Sequence, residues 1–335
     1  MKPLLEVKDL QTSFFTRAGE VKAVDGVSFT VNEGEVVAIV GESGCGKSVT
    51  ALSIMGLVSD PGKIKNGSIK LDGDELLTKT DREWQKLRGG KVSMIFQDPM
   101  TSLNPLMNVG EQIMESLRWH MGMDHTAARK RALELLGLVG IPNPEGRLAQ
   151  YPHEFSGGMR QRVMIAIALA CDPKLIIADE PTTALDVTIQ AQIMELLKEL
   201  RRKLGTAVIL ITHDLGVVAG MADRMIVMYG GKIAETGPVR QIYHEPTHPY
   251  TWGLLRSVPR LDVKRRLVPI DGQPPDLVKP PTGCRFEPRC SYAMGICKEQ
   301  LPTLASVGKE HEAACWLTHP LAPKVTYEAT KGGAQ

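Results

Sequence analysis

Gly41-Glu42-Ser43-Gly44-Cys45-Gly46-Lys47-Ser48 matches G-x-x-x-x-G-K-[ST], and the residues on either side decide how it is read. The run before it, Glu35-Val36-Val37-Ala38-Ile39-Val40, is short, apolar and β-branched, the pattern of a buried strand. Residues 48–57 after it read as a helix. Strand, glycine loop and helix in that order aim backbone N–H groups and the positive end of a helix dipole at one phosphate chain. Lys47 then reaches the β- and γ-phosphates, and the Ser48 hydroxyl ligates Mg²⁺. A chance glycine-rich turn would lack the flanking strand and helix, so the stretch implies a nucleoside triphosphate site in an α/β domain.

The 335 residues suffice for one large α/β domain and an appendage. A net charge of +2 and a pI near 8.2 give no strong field toward nucleic acid or anionic lipid, and no nucleic-acid partner is expected. The opening Met1-Lys2-Pro3-Leu4-Leu5-Glu6 has no secretory apolar region, and no apolar run is long enough for a bilayer. The expected location is cytosolic. Cys45 and Cys171 stand alone, whereas Cys284, Cys290, Cys297 and Cys315 crowd into the last quarter, which in a reducing compartment favours metal over disulfides.

Around the loop, residues 4–29 alternate with turn signals at Arg17-Ala18-Gly19 and Asp25-Gly26 and predict an antiparallel hairpin, with residues 68–73 as a further strand. Phe14 and Phe15 fall on this hairpin. One of them, with Phe15 as the candidate, would stack on an adenine ring, although an aromatic on a hairpin is more often packing. Residues 91–96 predict a buried strand ending at Gln97-Asp98-Pro99, where the glutamine amide oxygen suits a metal ion and the prolines through Pro105 suggest a hinge. Helices are predicted at 109–121 and 127–138. Ser156-Gly157-Gly158 opens a helix expected at 159–171 and forms a second anion cradle, suited to a different nucleotide from the first. Lys174-Leu175-Ile176-Ile177-Ala178 runs into Asp179-Glu180-Pro181, where Asp179 suits the Mg²⁺ shell through water and Glu180 suits polarising the attacking water. A helix is expected at 187–204, capped by Asp186 and stopped by Gly205. The next strand, 207–212, presents His213 to the γ-phosphate. A hairpin at 224–229 and 232–234 is expected to close the domain.

The order of phosphate loop, Gln97, Ser156-Gly157-Gly158, Asp179-Glu180-Pro181 and His213 resembles an ATP-binding cassette subunit. The stretches Gln97-Asp98-Pro99-Met100-Thr101-Ser102-Leu103-Asn104-Pro105, 180–189 and His248-Pro249-Tyr250-Thr251 resemble the oligopeptide and dipeptide importer ATPases. The resemblance implies a mixed, largely parallel sheet core with an antiparallel β subdomain and a helical subdomain inserted at about 98–158. The cassette would span 1–237, with a small cysteine-containing domain at 238–335. It implies that Gly41, Ser43, Gly44, Cys45, Gly46, Lys47, Ser48 and Val49 hold ATP, with Mg²⁺ at Ser48, Gln97 and Asp179. Catalysis would fall to Glu180 as general base, His213 on the γ-phosphate and Gln97 as metal sensor. Ser156, Gly157 and Gly158 would complete the site of an opposing, paralogous ATPase in a head-to-tail heterodimer. The pair would lie at the cytoplasmic membrane face beneath two permease subunits, supplied by an extracytoplasmic peptide-binding protein. Met159 stands where the family most often has glutamine, which bears on ribose contact rather than on the phosphate cradle.

Relatives carry nickel complexes, glutathione-like compounds or sugars, so another substrate is the alternative. Non-transport ATPases of the superfamily are a further one, disfavoured by a compact helical block in place of a long coiled coil and by a single cassette. Glu180 and His213 disfavour a non-hydrolysing sensor. In the appendage, gaps of five, six and seventeen residues separate the four cysteines. Zinc knuckles place two to four residues between paired cysteines, whereas an iron–sulfur cubane takes four thiolates at wider spacing. A [4Fe–4S] cluster on Cys284, Cys290, Cys297 and Cys315 is what the resemblance implies, with Zn²⁺ the alternative. Arg285, Arg289 and Lys298 would offset thiolate charge or form a solvated face.

Overall fold

The strand expected before the phosphate loop is Val36–Val40, and all five of its residues are buried. The computed structural model describes residues 3–183, 186–258 and 269–327, which fall into two units. Ala184 and Leu185, inside the 180–189 stretch, lie outside the described residues, as do 259–268 and 328–335 of the appendage. No helix among the described residues is long and apolar enough to cross a membrane.

One unit comprises Met1–Leu4, Val31–Val36 and Asp74–Ile211. Its parallel strands Val92–Ile95, Leu175–Asp179 and Ala207–Ile211 are buried along their whole length, as continuous apolar runs require when both sheet faces are covered. Register sets Ile95 beside Ala178 and Asp179 beside Ile211. The expected helical block is Val109–Met121 and His125–Leu138, capped by Asn108 and Asp124 through side-chain oxygens that accept backbone N–H groups. Val109, Ile113, Met114 and Leu117 recur at helical spacing and are buried. After Gln97 the stretch begins as a short helix, Pro99–Ser102, because Asp98 accepts the Met100 N–H at 2.8 Å and Pro99 suits the first turn. Asp81–Leu87, with Thr80 and Glu83 as a capping box, is a further helix that apolar periodicity does not signal.

The other unit comprises Leu5–Thr30, Val37–Gly73 and Thr212–Gln335. Gly19–Val31, Leu5–Thr16 and Gly62–Leu71 lie side by side as an antiparallel sheet, with Leu5 opposite Leu71 and Phe14 opposite Gly62. In a second sheet Val36–Val40 runs parallel to Arg224–Tyr229, which turns back into Lys232–Pro238. That hairpin does not close the sheet. His311–Ala313 pairs with Lys232–Pro238, setting Ala313 opposite Glu235, and Ala305–Gly308 adds an edge beyond it. The appendage therefore shares the core behind the phosphate-loop strand: Phe286 is buried with Val40, Tyr229 and Tyr250, and Cys284 and Cys290 pack against them.

Candidate nucleotide site

The loop takes its shape from two glycines that admit no side chain. Gly41 has φ +148°, and a Cβ there would stand 2.2 Å from the Met228 carbonyl oxygen. Gly46 has φ +104°, and its Cβ would meet the Ala23 oxygen at 2.4 Å. Only glycine adopts such a backbone at such close approach. The helix behind the loop is Lys47–Ile54, one residue earlier at its start and three shorter at its end than expected. Lys47 is buried, and its ammonium donates to Gly41 O at 2.8 Å and Glu42 O at 3.0 Å. Burial raises the Cys45 thiol above its ordinary range against the opposing pull of Lys47. Ser43 and Gly44 are exposed, while Ser48 and Val49 are half-buried.

Elsewhere in this unit, Phe14 is half-buried and sits over Gly62, whereas Phe15 is 45% exposed. Of the pair, Phe15 is the more exposed. His213 is exposed just beyond Ala207–Ile211, and the adjacent Asp214 caps the helix Leu215–Met221 through the Gly216 and Val217 N–H groups.

In the other unit, strand register brings two expected residues together. Two positions beyond the Ile95–Ala178 pair, the Gln97 amide donates to Glu180 Oε2 at 2.9 Å. The same oxygen accepts the Thr183 hydroxyl at 2.9 Å. Thr183, within the 180–189 stretch, carries no expected role of its own, although its place three residues after Glu180 is within reach of a back-bond. Glu180 has φ +45°, a sparsely populated conformation for a non-glycine residue and one that clusters at functional sites. Asp179, at the end of the buried strand, is 6% exposed. Ser156 and Gly157 are exposed at the start of Gly157–Leu169, which begins two residues before the expected helix, and the Ser156 hydroxyl accepts the Met159 N–H. Behind them Phe155 is buried, so the signature is presented outward from an anchored turn.

The four C-terminal cysteines are near enough for their charges to act on one another. Burial pushes Cys284 up to about 11 and Cys315 up to about 12, with other thiols of the set adding to the rise. Cys290 is raised chiefly by burial too. Among the described residues no three His, Cys, Asp or Glu side chains are placed to hold one metal ion. Arg285 and Arg289, among the cysteines, serve neither of the expected roles, whereas Lys298 is solvated. Arg285 is buried against Asp25 and the Gly230 carbonyl, and Arg289 forks onto Glu42. Lys298 is 73% exposed and lies 3.9 Å from Glu287.

Known proteins share this architecture. The family described as ABC transporter matches residues 24–183, and the oligopeptide/dipeptide transporter, C-terminal region, matches 234–297. The solved dimeric ATP-binding cassette MJ0796, bound to ADP and Pi, aligns with a TM-score of 0.63 at 33% identity, covering 70% of this chain and 99% of that one. The oligopeptide transport ATP-binding protein OppD of Bacillus subtilis is 58% identical over 325 residues, 96% of this chain and 91% of its own length. The dipeptide transport ATP-binding protein DppD of the same organism is 56% identical over 319 residues, 95% of each chain. Fold and phosphate loop thus define an ATPase of the ATP-binding cassette class. Within that class the chain belongs to the ABC transporter ATP-binding proteins that carry the oligopeptide/dipeptide transporter C-terminal region.

Proposed function

We propose that this chain is one of two paralogous ATPases that drive di- and oligopeptide import through a membrane permease. The observation that carries the chemistry is the Glu180 carboxylate, set at the end of a buried strand and held by Gln97 and Thr183. A carboxylate so oriented suits taking a proton from the water that attacks the γ-phosphate, giving ADP and phosphate. Lys47 and Ser48 hold the phosphates and Mg²⁺, Asp179 orders the metal shell, and His213 contacts the γ-phosphate. Little covalent work is left to the protein, since phosphoryl transfer depends on positioning and charge neutralisation. The peptide substrate is supported by the names of the oligopeptide and dipeptide relatives, each matched over nearly its whole length.

The partners follow from the same reading: two permease subunits, a peptide-binding protein outside, and a second ATPase whose site Ser156, Gly157 and Gly158 complete. The subunit is peripheral, at the cytoplasmic face. Residues 98–105, which adjoin the inserted helices, are assigned to receive the permease's cytoplasmic helix; the exposed Met100 within them and a cleft of about 540 Å³ on those helices, lined by Met107, Glu111, Arg118 and Trp119, support this. The cassette is assigned to 1–237 and the cysteine domain to 238–335. The spacing of Cys284, Cys290, Cys297 and Cys315, wider than that of zinc knuckles, supports a [4Fe–4S] cluster over one zinc ion, and such a cluster would serve structure or regulation.

The test of the chemistry is Glu180→Gln in the assembled transporter. It should bind ATP and lose steady-state hydrolysis by about 10²–10⁴-fold, the worth of general-base help. Near wild-type turnover refutes the assignment.

A further inference from the structure

Glu42 occupies the first variable position of the phosphate loop, and all three of its polar groups are engaged. Its N–H donates to the Tyr250 hydroxyl at 2.7 Å, and its carbonyl accepts the Lys47 ammonium at 3.0 Å. Its carboxylate takes both terminal nitrogens of Arg289, at 2.6 and 3.0 Å. Arg289 in turn has each of its five N–H donors placed, the other three on the Tyr229 hydroxyl at 3.2 Å, Ile270 O at 3.0 Å and Asp271 O at 2.8 Å. Its side chain is 4% exposed, against 27% for that of Glu42. The position directly precedes Cys290 in the turn Glu287–Arg289, and the neighbouring Phe286 packs edge-on against Tyr229.

This is more machinery than a surface ion pair needs. A planar guanidinium with every donor committed is fixed in space, and a bidentate fork fixes the carboxylate it holds. The backbone of Glu42 is fixed with it, including the carbonyl that receives Lys47. The pairing also neutralises an anion inside a loop whose ligand is a polyanion. Without Arg289, the Glu42 carboxylate would stand uncompensated in the phosphate-binding turn.

We propose that Arg289 is a positioning residue of the nucleotide site, acting on ATP through Glu42, so that the cysteine-bearing segment contributes to ATP affinity. The role rests on the phosphate loop's binding ATP and is independent of what the thiols hold.

The test is a double-mutant cycle on the full-length chain, reading the dissociation constant of Mg·ATP by titration calorimetry. Arg289→Gln should weaken binding about tenfold or more, since hydrogen bonds to charged groups are worth about 1.5–3 kcal/mol and 1.4 kcal/mol is tenfold. Arg289→Lys should fall between the two, because it keeps the charge and loses the fork. In a Glu42→Ala background, Arg289→Gln should cost less than twofold more. An equal loss in both backgrounds overturns the proposal, because it means that Arg289 merely holds its own segment together. Binding within twofold of wild type in Arg289→Gln overturns it as well. Lys47→Ala, run in parallel, separates the two readings. If Lys47→Ala abolishes binding while Arg289→Gln is neutral, only the positioning role fails; if Lys47→Ala binds normally, the ATP reading of the loop fails. In the assembled transporter Arg289→Gln should raise the KM for ATP with little change in kcat, and a fall in kcat at constant KM overturns the role.

Discussion

Acid should unfasten the helix that carries Tyr250, and His248 sets the pH at which it does so. His248 is fully buried, and its ring nitrogen caps the helix Pro249–Arg256 by accepting the Tyr250 N–H at 3.0 Å. Burial pulls its pKa from the ordinary 6.5 down to about 4, with the Glu235 carboxylate pulling weakly the other way. The native state thus keeps the imidazole neutral down to about pH 4, whereas the unfolded chain takes up that proton near 6.5. Between these values the unfolded chain binds more protons, so this stabilisation is complete above pH 6.5 and is lost as pH falls toward 4. The window is 2.5 pH units, which at 1.36 kcal/mol per unit is about 3 kcal/mol. His248→Asn keeps a cap acceptor and removes the titration. Urea unfolding followed by tryptophan fluorescence between pH 7.5 and 4.5 should show wild type losing about 2–3 kcal/mol more than the variant. Parallel pH profiles for the two proteins would refute the argument.

Ser156→Arg should abolish hydrolysis in the assembled ATPase pair while the isolated subunit still binds ATP, because Ser156 is exposed and caps a helix aimed outward; loss of binding in the isolated subunit would count against a role in trans. Gly46→Ala should cost more ATP affinity than Gly44→Ala. The former brings a Cβ to 2.4 Å from the Ala23 oxygen, while the latter meets nothing within 4 Å and bears only the left-handed backbone cost, about 1–2 kcal/mol; calorimetric affinities in the reverse order would contradict this account of the loop. Protein purified without oxygen should be brown, absorb broadly near 400 nm and hold about four irons per chain, and Cys290→Ser should lose the colour. Stoichiometric zinc without iron would replace the cluster assignment.

The elements that position the site were legible where their signals are local. Val36–Val40 and Leu175–Asp179 are apolar runs bounded by loop residues, and Asp186 caps its helix through the Ile189 N–H three residues on. The contact between Gln97 and Glu180 is not legible, although the sequence marks both residues, because it depends on the parallel register that sets Ile95 beside Ala178. Spacing along one strand says nothing of its neighbour's offset. The Pro99–Ser102 helix hid for a different reason: Asp before Pro is a cap signal and a turn signal at once.

The appendage is the clearest case of long-range contacts overriding a local pattern. Ala305–Gly308 is mostly exposed and shows no alternation, so the segment reads as irregular. It is held by partners elsewhere in the chain: His311 Nε2 lies 2.8 Å from the fully buried Glu235, which also accepts the N–H groups of Thr247 and His248. Arg289 reaches Glu42 across 247 positions, and Arg285 reaches Asp25 across 260. In sequence these arginines stand among cysteines and look like their counter-charges, yet each is committed to an acid near the chain's start. A cassette ending at Gly237 would keep every phosphate-loop residue and lose both Tyr250 and Arg289, the two side chains that fix the backbone and carboxylate of Glu42. The motif therefore marks the loop, but the tail supplies part of its geometry.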